Sequence, residues 1–162
     1  MFKIIEGNFD HPDVNELLTK HFIELKAASP EESTHVLDIK GLKDPSIKFW
    51  SLWENDNLLG CGALKFLDKE HGEFKSIRVH DNFRRQNIGI KLIEYLIIEA
   101  KKLNIRKISI ETGAGEFFKP ARKLFKRCDF KPCQPFGHYK VDPNSLYYTC
   151  LLYTSPSPRD LR

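Results

Sequence analysis

The sequence predicts one α+β domain in α/β/α layers, with a mixed, mostly antiparallel sheet of six to seven strands flanked by helices. Three observations predict it. Strand-like runs at Ile47–Trp53, Leu58–Leu67 and Glu73–Val79 follow one another across turns of a few residues, so they form an antiparallel meander. The apolar period then changes to helical: positions 88, 92, 93, 96, 97, 100 and 103 make one broad face. A strand at 106–111 follows, where Ile108 and Ile110 alternate with polar neighbours. A right-handed crossover lays it parallel to the strand at 73–79, which makes the sheet mixed.

The remaining elements take their places around this centre. Phe2–Glu6 is a short strand. Asp10–Pro12 is a helix start, and Val14, Leu17, Leu18, His21, Phe22 and Leu25 follow at helical spacing. The stretch 27–45 is polar and rich in turn residues, a loop with one helical turn of the kind that lines binding sites. Glu54–Asn57 and Asp68–Gly72 are turns, Phe118–Arg127 is a helix, and Phe130–Cys133 and Leu146–Thr149 are the last strands. Gly60-Cys61-Gly62 inside a strand predicts a bulge.

Composition limits the function classes. The chain of 162 residues is the size of one domain, and 41% hydrophobic residues suffice for a core. A membrane span needs about 18 or more apolar residues in a row, and the sequence has no such run. Lys3, Glu6 and Asp10 interrupt any leader-like start, so a cytoplasmic protein without a membrane partner is expected. Cys61, Cys128, Cys133 and Cys150 form no Cys-x-x-Cys pair, and the six histidines form no His-x-x-x-His pair. Inert thiols in a reducing compartment and no metal are the expectation. The net charge of +4 is mild, although cations gather between Arg84 and Arg127 among Phe117, Phe118 and Phe125. A nucleic-acid-binding module would show such a patch, but nearby acids dilute it, and a site for one small polyanion fits the pattern. No nucleic-acid partner is expected, and a homodimer is compatible with the sequence.

The residues from Ile77 to Ile90 carry the chemistry. Here a strand ends, a basic turn follows, and a helix opens at a glycine. Successive N–H groups at a helix start, with the helix dipole behind them, bind anions. Arg84, Arg85 and Lys91 add charge, and Gly89 lets a phosphate approach the backbone. A solvated basic helix start with an incidental glycine accounts for the same residues. Glu111-Thr-Gly-Ala-Gly-Glu116 also places a Gly-x-Gly between strand and helix, but Phe118 stands where a dinucleotide turn needs its third glycine.

Arg84-x-x-Asn87-x-Gly89 resembles the Arg/Gln-x-x-Gly-x-Gly/Ala signature of the Gcn5-related N-acetyltransferase (GNAT) family, with Ile77-Arg78-Val79 and Phe83 at the matching strand end. The resemblance runs from about Gly60 to Phe130, and the strand order fits as far as Thr149. Asn87 stands where the family has its first glycine, and asparagine is the next residue most tolerant of a left-handed backbone. The resemblance implies an N-acetyltransferase with acetyl-CoA as cosubstrate and no metal. It implies that Arg84, Arg85, Gln86, Asn87, Ile88, Gly89 and Ile90 contact the pyrophosphate. Ile77 and Val79 would then pair with the pantetheine arm, with Phe118 and Arg122 flanking the cofactor's other side. A backbone N–H near Val79 would receive the thioester carbonyl.

Amine acetylation also needs a base, and a proton for the departing thiolate. Glu73 lies eleven positions before Arg84, the offset of the catalytic glutamate in histone acetyltransferases of the family. An exposed glutamate after a turn reads equally from the residues alone. Glu111, on the adjacent strand, is the alternative. Phe125 occupies the position where many members carry an acidic tyrosine, which leaves Tyr139, Tyr147, water or an unassisted thiolate. The acceptor implied is a small-molecule or peptide amine. Ser29–His35, Trp50, Trp53 and Asp142–Ser145 are candidates for its pocket, and Glu31 and Glu32 would attract a cation. Together with Glu111-Thr-Gly and Phe117–Ala121, these segments look like a bacterial subgroup known only as acetyltransferases. A catalytically silent acyl-CoA binder is the other reading that Phe125 and Asn87 allow.

The domain is expected to span 1–149. The stretch 150–162, Cys-Leu-Leu-Tyr-Thr-Ser-Pro-Ser-Pro-Arg-Asp-Leu-Arg, resembles a translated sequencing adapter and is read as a non-native tail, although Leu151 and Leu152 can extend the last strand.

Overall fold

The computed structural model describes residues 1–29, 38–84 and 86–152. The sheet has seven strands in the order β1-β2-β3-β4-β5-β7-β6. They are β1 (Phe2–Glu6), β2 (Ile47–Glu54), β3 (Asn57–Phe66), β4 (His71–Val79), β5 (Lys107–Gly113), β6 (Lys131–Pro132) and β7 (Ser145–Leu151). Every neighbouring pair is antiparallel except β4 with β5, which the crossover makes parallel. The helices are α1 (Pro12–Ala28), the single turn α2 (Ile39–Leu42), α3 (Ile88–Lys102) and α4 (Lys119–Arg127).

Two apolar layers sandwich the sheet. On one face Val14, Leu17, Leu18 and Phe22 of α1, with Leu42 of α2, pack on Phe49, Trp53, Leu58, Cys61 and Ala63. On the other, Leu92, Ile93, Leu96 and Ala100 of α3 meet Leu52, Leu59, Leu64, Phe74, Ile108 and Ile110. Phe125, Phe130 and Tyr148 close that layer beneath α4. Because β3 is covered on both faces, its burial is almost continuous rather than alternating. Trp50 and Trp53 are core residues, not pocket walls.

The predicted elements are present, with shifted ends. β4 begins at His71 rather than 73, because the Asp68 carboxylate accepts the Glu70 and His71 N–H groups and tightens the turn. β6 keeps only two residues, since Pro132 has no N–H to extend a ladder. Phe118 lies in a 3-10 turn ahead of α4. β7 runs on through Leu151, and the Leu152 N–H reaches the Arg106 carbonyl.

The bulge expected at Gly60–Gly62 is the feature that shapes the molecule. Pairing passes from Cys61↔Arg78 to Ala63↔Lys75, so Gly62 faces both Ser76 and Ile77. Ser76 takes φ +54°, a left-handed strand residue that only a bulge explains. Gly60 is required by close approach, because a Cβ there would lie 2.6 Å from the Arg78 carbonyl oxygen.

Candidate active site

The bulge bends β4 away from β5. The two strands pair at His71↔Lys107, Gly72↔Ile108 and Glu73↔Ser109, and there the ladder stops. Beyond it β5 stays with β7, while β4 stays with β3. The wedge between them is a cleft of about 530 Å³, walled by β4, β5, α1 and the starts of α3 and α4. Within β4 the His80 N–H turns to the Leu59 carbonyl of β3. Successive strand N–H groups point to opposite edges, so the Val79 N–H faces the cleft.

The mouth of the cleft is the N-terminus of α3. Asn87 takes φ +60°, the left-handed conformation expected of it, and the helix start carries no side-chain cap. The Lys91 N–H returns to Asn87, and among the described residues no backbone acceptor takes the N–H groups of Ile88, Gly89 and Ile90. Arg84, Asn87, Ile88, Gly89 and Ile90 line the cleft, as do Ile77, Val79 and Phe118. The Arg84 guanidinium is held beside the helix start by Asp81 at 2.9 Å. Gln86 is exposed at the rim. Arg85 lies outside the described residues, as do Glu31 and Glu32.

Two assignments change their physical basis. The missing Cβ of Gly89 points at Leu124, where it would sit 3.0 Å from a methyl, so the glycine also makes room for the α3–α4 contact. Arg122 donates to the Gly113 and Gly115 carbonyls at 2.9 and 2.7 Å, pinning the end of β5 rather than facing the cleft.

At the closed end of the wedge sits Glu73, 3% exposed and among the lining residues. Its carboxylate accepts the Tyr139 hydroxyl at 2.5 Å and pairs with Lys75 Nζ at 3.2 Å. Lys75 also donates to the Tyr139 oxygen at 3.0 Å, closing a three-membered network. Burial, then the adjacent Glu73 charge, pushes the Tyr139 hydroxyl far above the ordinary phenol range. Glu111 lines the same cleft and accepts the Ser145 hydroxyl at 2.7 Å. The Tyr147 hydroxyl is committed to the Lys140 carbonyl at 2.8 Å. Phe125 lines the cleft with a ring that carries no proton.

Sequence reasoning missed Lys75 and His21. Nothing local marks Lys75 among the residues of its strand, and His21 falls at helical spacing among apolar neighbours. His21 is 6% exposed, yet it lines the cleft from α1. Burial, then the neighbouring Arg78, lowers its pKa to about 4. Arg78 itself bonds Glu24 of α1 and Asp81, the latter at 3.1 Å, so α1 is strapped to the end of β4.

That depressed pKa sets a pH dependence. An imidazole that protonates at 6.5 when unfolded but only near 4 when folded contributes its full stability above pH 6.5 and loses it as pH falls toward 4. At pH 4.5 the loss should be about 2–3 kcal/mol. His71, also shifted down mainly by burial, adds in the same direction. Glu24 and Asp81, held low by hydrogen bonds from Arg78 and Lys20, lose their contribution only at more acid pH. In urea melts from pH 7 to 4.5, wild type should lose about 2–3 kcal/mol more than His21→Gln; parallel curves would refute the assignment.

No group of three or more His, Cys, Asp or Glu that could hold a metal occurs among the described residues, and no described helix is long and apolar enough to cross a membrane.

Comparison with known proteins places the chain. Residues 12–130 match the model of the acetyltransferase (GNAT) family. The chain is 43% identical over 136 residues to the uncharacterized N-acetyltransferase YsnE of Bacillus subtilis, covering 84% of this chain and 90% of that protein. It is 36% identical over 152 residues to the uncharacterized N-acetyltransferase YedL of Escherichia coli, covering 94% and 96%. Among solved structures, a Bacillus subtilis acetyltransferase in complex with CoA superposes with a TM-score of 0.69 at 19% identity, over 94% of this chain and all of that one. A GNAT acetyltransferase of Elizabethkingia anophelis with acetyl-CoA bound gives 0.67 at 21%, over 93% and 98%. At those identities the structures speak for the fold, while the family model and the sequence relatives speak for descent: the chain is an acetyltransferase of the GNAT family.

Proposed function

We propose that the protein transfers the acetyl group of acetyl-CoA to the amine of a small molecule or peptide, by direct attack within a ternary complex. The wedge between β4 and β5, closed at one end by Glu73 and open at the other on the bare N-terminus of α3, carries this reading. Its residues suit acetyl-CoA. The N-terminus of α3, where among the described residues no backbone acceptor takes the first three N–H groups, lies at the mouth, where a pyrophosphate would sit, and the unpaired edge of β4 can bond an extended pantetheine arm. When bound, acetyl-CoA supplies an activated acyl group on a thiol leaving group.

The chain's residues do the rest. The Val79 N–H donates to the acyl oxygen. Glu73 takes a proton from the amine, and Lys75 and Tyr139 hold its carboxylate in place. Tyr139 keeps its proton and donates it as a hydrogen bond to Glu73 in a buried site, so it serves as a positioning residue, and protonation of the thiolate falls to water. Glu111 shapes the acceptor side with Ser145. Two structural relatives hold CoA or acetyl-CoA, which supports the donor; nothing beyond the cleft's polar wall supports a particular acceptor.

Thermal melting of the full chain tests the reading. Acetyl-CoA or CoA at about a hundred times its Kd should add about 2.7 kcal/mol and raise Tm by several degrees, whereas NADH should not. Thiol release in an amine screen follows. A cooperative melt indifferent to both CoA species would overturn the donor site; a shift without turnover for any amine would favour a silent acyl-CoA binder.

A further inference from the structure

His21 is a buried polar side chain of the cleft that the reading above leaves without work. Its Nδ1 is enclosed with no hydrogen-bond partner, and among the described residues the ring makes no hydrogen bond at all. Since the residue lines the cleft, its other nitrogen, Nε2, is the edge open to a ligand. An imidazole that makes no hydrogen bond costs free energy, and of its two nitrogens Nε2 is the one a ligand can satisfy.

The placement says which ligand atom. His21 and Glu24 lie three apart on α1 and so share a face. Glu24 bonds Arg78, so that face is seated on the residue immediately before Val79. The Arg78 side chain rises toward α1, while the Val79 N–H lies in the plane of the sheet and points into the wedge. His21 therefore overlooks the point at which Val79 donates. Arg78 Nε is likewise enclosed and without an acceptor. Enclosing a bare lone pair costs less than enclosing an unpaired N–H, so the enclosed Nδ1 carries the lone pair and the proton sits on Nε2. Burial keeps that ring neutral at physiological pH. A neutral imidazole N–H is a suitable donor to a carbonyl that gains negative charge, because it polarises the oxygen without surrendering its proton.

We propose that His21 is a second donor to the acyl oxygen, its Nε2–H acting from above the sheet on the oxygen that the Val79 N–H meets in the plane. This rests on the acetyl-CoA reading, and it names a residue of α1, outside the signature segment, as part of the reaction centre.

The decisive experiment needs no turnover. In protein labelled with 15N-histidine, the His21 ring signals, assigned by their disappearance in His21→Gln, are compared without ligand, with CoA and with acetyl-CoA. Acetyl-CoA carries the carbonyl and CoA does not, so acetyl-CoA should move the His21 Nε2 resonance while CoA leaves it close to the free position. Equal shifts with both, or none with either in a sample whose Tm rises with ligand, would overturn the inference and leave the donor site standing. Failure of either to raise Tm would instead sink the donor site, and the inference with it.

Kinetics supply a second arm. A glutamine amide nitrogen falls near the place of Nε2, whereas leucine offers no donor. His21→Gln should keep kcat within about threefold, and His21→Leu should lose about a hundredfold at unchanged Tm. A mere packing role would leave the leucine variant at wild-type kcat, which would refute the proposal.

Discussion

Glu73→Gln is expected to lower kcat by about 10²–10³-fold while acetyl-CoA still raises Tm as it does for wild type. Glutamine keeps the shape and can still accept the Tyr139 hydroxyl, but it cannot take a proton from an amine. The change is not free of structural cost. Lys75, whose side chain is 11% exposed, loses its charged partner, and about 1–3 kcal/mol of stability should go with it. The melt separates the two effects, because a folded variant that binds ligand and does not turn over has lost chemistry. A variant that acetylates at the wild-type rate would return Glu73 to a structural role and move the search for the base to Glu111.

The second large effect concerns the cofactor end. Ile90 is the third helical residue of α3, half-buried, and lines the cleft. Replacing it with glutamate puts a carboxylate where three backbone N–H groups await an anion. For the helix this is favourable, because an acid in the first turn complements the dipole and can reach back to the cap. For a bound pyrophosphate it is repulsive, by about 2.8 kcal/mol for unit charges about 6 Å apart at an effective dielectric of about 20. Ile90→Glu should therefore melt within about 1 kcal/mol of wild type and bind acetyl-CoA about a hundredfold more weakly, read by isothermal titration. Undiminished affinity would mean that the phosphates lie elsewhere.

How much of this was legible in the sequence follows from the range of each signal. Period and turn chemistry are local, so the meander, the crossover and α3 could be read directly. The left-handed turn before α3 was legible because asparagine tolerates it, and Gly60 and Gly62 announced the bulge. Its other half was not, because serine has no preference for φ +54° and Ser76 takes it only under the pairing of β3 with β4. The network around Glu73 joins residues 66 positions apart, through an irregular segment whose path no local pattern fixes. His21 obeyed the helical period so well that its polarity went unweighed. At Gly89 the missing Cβ is visible in a sequence, but Leu124, the neighbour it makes room for, is not.

The four thiols bear on how the protein coexists with its own product. None is paired, and burial pushes each above the ordinary range, Cys61 to about 12 and Cys128 to about 11, with Cys133 and Cys150 moved the same way. Thiol–disulfide exchange runs through the thiolate, and at neutral pH these side chains hold almost none. Each turnover would liberate a free thiol from the cleft, in a molecule that carries four more. Their reluctance to ionise disfavours mixed disulfides with CoA, so the protein should stay unmodified when incubated with added CoA disulfide.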